Sequence, residues 1–257
     1  DFTAHPFWAI EGIDASFVAT AAVREELASW GVAWESIHVT GIPIDPLFSG
    51  GPMDRTEARR QFQLQPDRPT VLLMGGGNGV GPLSTLAERV LDLPSAPQLL
   101  VVCGKNARLR MRMRSIAEAA PGRVRVLGFT DQVPALLSAA DVIATKAGGL
   151  TCSESLAMQV PMVVFRPTPG QEEKNSLALS VSGAAVRARS FEQVASSIER
   201  ILAHPALSAS MREACRQLAR PQAAFDVARQ VLGLPSQAGA EGDSAESPGL
   251  AHAPRAG

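Results

Sequence analysis

The sequence has almost no net charge, few cysteines and no long apolar run, and each absence narrows the class of protein. A formal net charge of −1 removes any bulk electrostatic case for a nucleic-acid partner. The three scattered cysteines show no metal-ligand spacing, so we predict a reducing cytoplasm and no cofactor. No stretch approaches the roughly 20 apolar residues of a transmembrane helix, and Asp1 to His5 do not resemble a signal peptide.

The composition is that of an ordinary globular protein. Apolar residues make up 46% of the 257 residues and charged residues 19%, which allows one large or two small domains. The chain lacks an initiator Met and begins within sequence of folded character. We therefore expect it to be a fragment of a longer protein.

Short apolar runs alternate with helical patterns along most of the chain. Strands are predicted at residues 71–74, 98–103, 124–127, 141–144, 162–165 and 184–187. Helices are predicted at residues 21–30, 56–63, 106–120, 132–140, 151–158, 176–180, 190–203, 206–219 and 221–232. This alternation predicts an α/β fold with a doubly wound parallel sheet.

The stretch Thr145–Asn175 organises the rest of the chain, because it places a glycine turn between a buried strand and a helix. Gly148 and Gly149 tolerate unusual backbone angles and the close approach of a ligand. A helix that starts there has free N–H groups and a positive dipole end, which suits a phosphate. Glu154, one turn further on, is placed to accept hydrogen bonds from a diol such as ribose. The alternative is that Glu154 only favours the helix start through the dipole.

A second polar loop follows the strand Met162–Phe165 and reads P-G-Q-E-E-K-N. Loops at strand carboxyl ends meet the ligand crevice of an open α/β sheet. Gln171 and Asn175 are four residues apart, so on a helix they share a face and could bind adjacent hydroxyls. The alternative is an ordinary solvated helix start.

The glycine-rich segment Gly75–Pro82 invites a dinucleotide-binding interpretation but does not fit one. In the pattern G-x-G-x-x-G the last position would be Val80, Pro82 or Ser84, depending on the register. A flexible loop facing phosphate is the better interpretation, and a nicotinamide dehydrogenase is disfavoured.

Basic residues are unevenly distributed. The only lysines are Lys105, Lys146 and Lys174, and each follows a predicted strand on the side expected to hold the ligand. Four arginines lie two residues apart on one predicted helix, at positions 108, 110, 112 and 114. This spacing distributes them around the helix and favours a solvated surface, with a patch for anionic lipid headgroups as the alternative.

The two loop motifs together, T-K-A-G-G-L-T-x-x-E and P-G-Q-E-x-x-N, resemble the nucleotide-sugar half of the family 28 glycosyltransferases, which have the GT-B fold. The P-G-Q-E form is most similar to the branch of monogalactosyldiacylglycerol synthases and processive diacylglycerol glucosyltransferases. The resemblance covers Asp1 to about Leu232. It implies the end of an N-terminal acceptor domain with the interdomain connection at residues 1–48, and a UDP-sugar-binding domain at residues 49–234. Residues 235–257, rich in Gly, Ala, Ser and Pro, are predicted to be a disordered tail.

The resemblance also implies roles for individual residues. The diphosphate is expected beside Gly75, Gly76, Gly77, Asn78, Lys146, Gly148, Gly149, Leu150 and Thr151. The uracil is expected beside the backbone of Phe129 and Thr130, the ribose at Glu154, and the hexose at Gln171, Glu172 and Asn175. His5 matches a histidine that follows T-D in the diacylglycerol branch, which implies a role near the acceptor or donor sugar; the alternative is a structural role beside Pro6.

The function implied is an inverting glycosyltransferase that moves a hexose from UDP-glucose or UDP-galactose to a lipid acceptor. The resemblance places the general base in the N-terminal domain, and such an enzyme would be cytoplasmic and peripheral on the inner face of the plasma membrane. Two alternatives remain open: an enzyme similar to UDP-GlcNAc 2-epimerase, and a non-catalytic remnant that binds a UDP-sugar.

Overall fold

The structure, a computed structural model, describes residues 1–77, 79 and 81–233. The predicted tail at residues 235–257 and the predicted site residue Asn78 lie outside these residues. Within them, six parallel strands form the main sheet and two short parallel strands form a second sheet.

The second sheet contains β1 (Ser16–Val18) and β2 (Ile37–Val39), with helix α1 (Ala21–Ser29) between them. Its small core consists of Ala4, Val18, Val23, Leu27 and Ile37. The connection that follows does not stand apart, since Ile44 and Phe48 pack into the core of the main sheet. The predicted domain boundary at residue 48 stays a prediction.

The main sheet contains β3 (Thr70–Met74), β4 (Gln98–Val102), β5 (Val124–Leu127), β6 (Val142–Thr145), β7 (Met162–Phe165) and β8 (Ala185–Ala188). The helices around it are α2 (Arg55–Gln61), α3 (Leu83–Leu91), α4 (Ala107–Ala119), α5 (Val133–Ala139), α6 (Gly149–Ala157), α7 (Gln171–Val181), α8 (Phe191–Ala203), α9 (Pro205–Leu218) and α10 (Ala223–Val231).

Both faces of the main sheet are covered, which explains why its strands are almost wholly apolar. Successive side chains of a strand point to opposite faces. Leu72 and Leu100 accordingly belong to one core cluster, and Val71 and Leu73 to the other. All five residues of β3 and all five of β4 are buried.

The strand order is β5-β4-β3-β6-β7-β8. The chain moves outward in one direction from β3 to β5 and then crosses back to β6, beside β3. The point where the winding reverses therefore lies between β3 and β6. In open α/β sheets this is where a ligand crevice forms, outside the carboxyl ends of the strands.

The predicted doubly wound parallel sheet is confirmed, and β5 and β7 have the predicted bounds. The largest difference concerns α7, which begins at Gln171 instead of after Asn175. Gly170 has φ +92 and ends the loop in a conformation that only glycine adopts without strain, so the helix begins at the next residue. Gln171 and Asn175 thus lie on one helix, as their spacing suggested.

At the amino ends of the strands, opposite the crevice, ion pairs and hydrogen bonds to one aspartate connect three segments of the chain. Asp141, just before β6, accepts hydrogen bonds from the backbone N–H of Thr70 (2.8 Å) and the guanidinium groups of Arg55 (2.9 Å) and Arg59 (2.6 Å). Arg59 is buried, so this cluster has a structural role away from the crevice.

Two surface features concern membranes. In the described ranges, no helix is long and apolar enough to cross a bilayer. Helix α4 buries Leu109 and Met113, while its arginines at positions 108, 110, 112 and 114 are exposed.

Candidate functional site

The loops after β3 and β6 bound the crevice at the reversal point. They carry the glycine segment from Gly75 and the K-A-G-G turn from Lys146. Because β3 and β6 are hydrogen-bonded neighbours with the same direction, these loops leave the sheet side by side. The fold therefore unites two segments that lie about 70 residues apart in the sequence.

The start of α6 leaves several backbone donors free. Gly148 is its N-cap and supplies no side-chain cap. The N–H groups of Gly149, Leu150 and Thr151 find no acceptor within the described part of the chain. Unpaired amides at a nine-residue helix with its positive dipole end form a suitable place for a phosphate group.

The glycine loop after β3 packs closely against the loop after β4. Gly79 has φ +57, and a Cβ there would lie 2.0 Å from the carbonyl oxygen of Cys103. The backbone N–H of Lys105 donates to the carbonyl of Gly77 at 3.1 Å, and Asn106 Nδ2 donates to that of Gly79 at 3.1 Å. The close approach of the two backbones explains why this segment requires glycine.

Glu154 lies on α6 and is partly withdrawn from water. Burial, with a smaller contribution from the nearby carboxylate of Asp45, raises the pKa of Glu154 to about 7. No hydrogen bond from a described residue offsets these two effects. A half-buried carboxylate without donors can accept hydrogen bonds from a pair of ligand hydroxyls.

Lys146 and Glu172 link the loop after β6 to the start of α7. Lys146 Nζ lies 3.1 Å from Glu172 Oε1, and the backbone N–H of Thr168 donates to Glu172 Oε2 at 2.6 Å. Burial acts to raise the pKa of Glu172, but the hydrogen bonds from Thr168 and Lys146 outweigh it, so this pKa is lowered. The 166–170 loop is thus held by an ionised carboxylate.

Asn175 lies beneath the site instead of on its surface. Its side chain is fully buried, and its Oδ1 accepts from the backbone N–H of Phe2 at 2.9 Å. Its Nδ2 donates to Asp1 Oδ1 at 2.8 Å and to the carbonyl of Ala147 at 3.1 Å. Both amide donors are therefore occupied, and this arrangement does not support the predicted direct contact of Asn175 with a hexose.

The first residues of the chain form a wall of the site. Gln171 Nε2 donates to the carbonyl of Thr3 at 3.4 Å, and a Cβ on Gly149 would lie 2.9 Å from Asp1 Oδ1. No sequence motif singles out Asp1 or Thr3 as residues of the site. Contacts across some 170 residues leave no local pattern, and only the motif match of His5 drew attention to this segment.

The imidazole of His5 is half-buried and already has one partner. Its Nδ1 accepts from the backbone N–H of Phe7 at 3.2 Å. In the neutral ring this contact assigns the proton to Nε2, which is then a donor. His5 in this arrangement can donate a hydrogen bond but cannot accept a proton at Nε2.

The loop after β5 presents free backbone groups beside an exposed ring. Phe129 is 69% exposed, and Lys105 Nζ lies 5.6 Å from the centre of its ring. The backbone N–H and C=O groups of Phe129 and Thr130 form no hydrogen bond with other described residues. These groups are free to form hydrogen bonds with a ligand, and their predicted contact with the uracil stays a prediction.

The potential metal ligands and the cysteines are scattered in the ranges that the structure covers. No group of three or more His, Cys, Asp or Glu side chains there is placed to hold a metal ion. All three cysteines are buried, and burial raises the pKa of Cys152 to about 12.

Together these features define the class: an open α/β domain with a crevice at the reversal point of its sheet, bounded by unpaired amides at a helix start and by a half-buried carboxylate on the same helix. Sequence comparison then gives the family. A model of the family described as "Glycosyl transferases group 1" matches residues 54–219, and one described as "Monogalactosyldiacylglycerol (MGDG) synthase" matches residues 1–44. Since the first match covers more than half of the chain, the chain belongs to the group 1 glycosyl transferases.

Curated relatives narrow the likeness to one branch. The chain is 36% identical over 205 residues to a processive diacylglycerol beta-glucosyltransferase from Bacillus licheniformis, covering 79% of this chain and 53% of that protein. It is 32% identical over 219 residues to the enzyme of that name from Bacillus pumilus, covering 85% and 57%. The chain thus spans somewhat more than half the length of these relatives. The predicted resemblance to the diacylglycerol branch is confirmed.

Solved structures share the fold at lower identity. The chain matches a Listeria monocytogenes protein classed as a UDP-N-acetylglucosamine 2-epimerase with a TM-score of 0.65 at 17% identity, covering 86% of this chain and 59% of that one. Acinetobacter baumannii MurG gives 0.58 at 22%, covering 84% and 64%. Anabaena HepE, solved in complex with UDP-glucose, gives 0.56 at 15%, covering 88% and 65%. The GT-B type of fold is confirmed. The sequence relatives are transferases, so the epimerase alternative is not favoured.

Proposed function

We propose that this chain is the donor-binding half of an inverting glycosyltransferase that transfers a hexose from a UDP-sugar to a diacylglycerol-type lipid. One observation carries the donor assignment: unpaired amides begin α6, and an unpartnered, half-buried carboxylate, Glu154, lies on the same helix. The names of the curated relatives support the lipid acceptor, and the HepE complex supports the donor class.

In this proposal each part of the crevice binds one part of the donor. The diphosphate lies against the α6 amides and the glycine loop, with Lys146 as an additional cation. Glu154 accepts from the ribose diol, and the backbone of Phe129 and Thr130 pairs with the uracil edge. Gln171 and Glu172 orient the hexose, while Asn175 positions the loops instead of touching the sugar.

The chemistry assigned to this half is stabilisation of the leaving group. The acceptor hydroxyl oxygen forms a bond to the anomeric carbon from the opposite face, and the bond from that carbon to the diphosphate oxygen breaks. Negative charge then grows on UDP, and amides and a helix dipole fixed in advance offset it without reorganising. Such donors are worth roughly 2.7–4 kcal/mol each in other enzymes.

The hydroxyl proton needs a base. We propose that this base belongs to the acceptor domain of the longer relatives, because His5 Nε2 carries a proton in the arrangement found here. Residues 1–48 would be the end of that domain and the connection to the donor domain. Because the proposed acceptor is a lipid, we also propose peripheral association with the inner face of the plasma membrane.

Calorimetric titration with UDP-glucose, with NAD as a control ligand, tests the donor site. We expect wild-type chain to bind UDP-glucose and not NAD. Glu154→Ala removes a charged hydrogen-bond acceptor worth about 1.5–3 kcal/mol, which corresponds to roughly 10- to 150-fold weaker binding. Wild-type affinity in a folded Glu154→Ala chain would remove Glu154 from the site.

A second experiment separates the transferase from a binding remnant. The chain, joined to the segment that its relatives carry beyond the match, is supplied with radiolabelled UDP-glucose or UDP-galactose and diacylglycerol. Labelled glycolipid supports the proposal and identifies the sugar. UDP-sugar binding with no transfer supports the remnant, and conversion of UDP-GlcNAc without an acceptor supports an epimerase.

A further inference from the structure

A cavity of about 330 Å³ lies at the carboxyl ends of β7 and β8, outside the site described above. Three arginines line it: Arg166 directly after β7, Arg187 within β8, and Arg189 directly after β8. A neighbouring cavity of about 220 Å³ shares Arg166 and Arg189 and extends to the start of α8. The cavity adjoins the start of α7, but none of the residues proposed to contact the donor lines it.

The three guanidinium groups have no anionic partner among the described residues. Nine ion pairs are found there, and none involves Arg166, Arg187 or Arg189. Other arginines pair readily, as Arg59 does with Asp141. A bound anion would supply the partner that these three guanidinium groups lack among the described residues.

Arg166 has an unusual backbone conformation and a contact with an aromatic ring. It is one of four described non-glycine residues with positive φ, at +46, a conformation that costs about 1 kcal/mol or more outside glycine and asparagine. Its guanidinium carbon lies 5.7 Å from the ring centre of Phe191, the first residue of α8. Arg166 is exposed, and the contact with the Phe191 ring is what orients its guanidinium group beside the cavity.

The charge of the lining suits a divalent anion. Glu173 is the only acidic residue of the larger cavity, so its lining carries a net charge of +2. Ser176 also lines it but already donates to the carbonyl of Glu173 at 2.7 Å. Guanidinium groups match phosphate oxygens through paired N–H donors, and α8 begins next to Arg189 with its positive dipole end.

We propose that Arg166, Arg187 and Arg189 form a second anion site that binds a phosphate group, separate from the diphosphate of the donor. The phosphate belongs either to a small soluble ester or to a lipid headgroup, which offer the same chemistry to the arginines. The site requires nothing from the sugar-transfer proposal and stands if that proposal fails.

The test compares two triple variants that each lose three positive charges. The cavity variant removes the three positive charges of the lining through Arg166→Gln, Arg187→Gln and Arg189→Gln. Arg108→Gln, Arg112→Gln and Arg114→Gln together are the control on the exposed surface of α4. Each is titrated with inorganic phosphate in the presence of saturating UDP-glucose, and sedimented with vesicles of phosphatidylcholine with or without phosphatidylglycerol.

We expect the cavity variant to bind inorganic phosphate or phosphatidylglycerol vesicles about tenfold or more weakly than wild type does. The α4 variant should bind them as wild type does. Loss with inorganic phosphate identifies a soluble ligand, and loss only with phosphatidylglycerol vesicles identifies a headgroup. Wild-type binding in the cavity variant, equal loss in both variants, or no binding of either probe by wild type would overturn the site. UDP-glucose affinity is expected to be unchanged in the cavity variant.

A single variant guards against misfolding. Arg166→Gly removes one guanidinium and relieves the left-handed backbone, so the chain is expected to be at least as stable as wild type. Phosphate affinity should still fall by about threefold or more, measured beside the thermal unfolding midpoint. A stable Arg166→Gly chain with unchanged affinity for both probes would remove Arg166 from the site.

Discussion

Asn175 donates a hydrogen bond of 2.8 Å to the carboxylate of Asp1, across 174 positions of sequence. The same amide group donates to the carbonyl of Ala147, in the loop that precedes α6. One buried side chain therefore joins the first residue of the chain, the loop after β6 and α7. The order of the crevice depends on this junction.

Replacement of Asn175 should destabilise the chain and loosen the crevice. Asn175→Ala leaves the N–H of Phe2 and the carbonyl of Ala147 buried without their partner, which costs about 2–4 kcal/mol of unfolding free energy. Asn175→Asp keeps the size but replaces both donors with an oxygen beside Asp1, and should cost at least as much. Denaturant unfolding measures both, with the exposed Gln217→Ala as the control. If Asn175→Asp is as stable as wild type, the hydrogen bonds that Asn175 donates to Asp1 and Ala147 do not stabilise the folded chain.

The stability of the chain should decrease as Glu154 ionises. Its pKa is raised from 4.5 to about 7, so between these values the folded chain holds a proton that the unfolded chain has released. The unfolding free energy therefore falls with rising pH across this interval, by about 1–3 kcal/mol, and is level above it. Glu154→Gln should remove the decrease, whereas Glu118→Gln on the surface of α4 should retain it. An unchanged slope in Glu154→Gln would assign the titration to another group.

The same ionisation should make donor binding depend on pH. A ribose diol donates two hydrogen bonds to a carboxylate more strongly than to the protonated acid, so UDP-glucose should bind more tightly as pH rises through about 7. Binding near that pH should release a proton, detectable by calorimetry in buffers of different ionisation enthalpy. UDP-glucose has no titrating group of its own there, and Glu154→Gln should bind without proton release. Proton release that persists in this variant would contradict the assignment.

The Lys146–Glu172 pair should contribute modestly to stability, and only above acidic pH. The pKa of Glu172 is lowered, so its contribution is present above the unfolded value and is lost as pH falls through the folded value. Because about a quarter of each side chain is exposed, Lys146→Met should cost no more than about 1 kcal/mol near pH 7 and less near pH 3. The control is Glu57→Gln in the exposed Arg60–Glu57 pair. A loss that is as large near pH 3 would indicate lost packing instead of lost charge.

Two neighbouring glycines should respond differently to a methyl group. A Cβ on Gly148 meets nothing within 4 Å, whereas one on Gly149 lies 2.9 Å from Asp1 and 3.3 Å from Ile42. Gly148→Ala should therefore change the unfolding free energy by less than about 0.5 kcal/mol, and Gly149→Ala should lower it by about 1–3 kcal/mol. Thermal unfolding compares the two.

The same pair tests where the diphosphate lies. If the phosphate approaches the backbone at Gly148, the stable Gly148→Ala chain should bind UDP-glucose about tenfold or more weakly, since the methyl group occupies the open space. Calorimetric titration measures the affinity of Gly148→Ala for UDP-glucose. Unchanged affinity in Gly148→Ala would place the diphosphate elsewhere in the crevice.

Sequence alone was sufficient for the elements that depend on local pattern. The buried apolar run of β7 gave that strand its bounds because a central parallel strand is apolar on both faces, and the shorter apolar pattern of the edge strand β5 was sufficient as well. The two loop motifs were sufficient for the family, since glycine at a helix start and polar groups after a strand are local requirements of a phosphate site. The start of α7 could not be predicted from the sequence, because a glycine such as Gly170 occurs both within loops and at their ends.

Only the tertiary structure decided which side chains face the crevice and which support it. Asn175 and Gln171 share a helix face, yet contact with Phe2, Asp1 and Ala147 buries the first completely. The raised pKa of Glu154 and the unpaired arginines at β7 and β8 likewise depend on neighbours far away in the sequence. Burial and electrostatic environment are sums over everything that packs nearby, and packing between distant segments is fixed only when the chain folds.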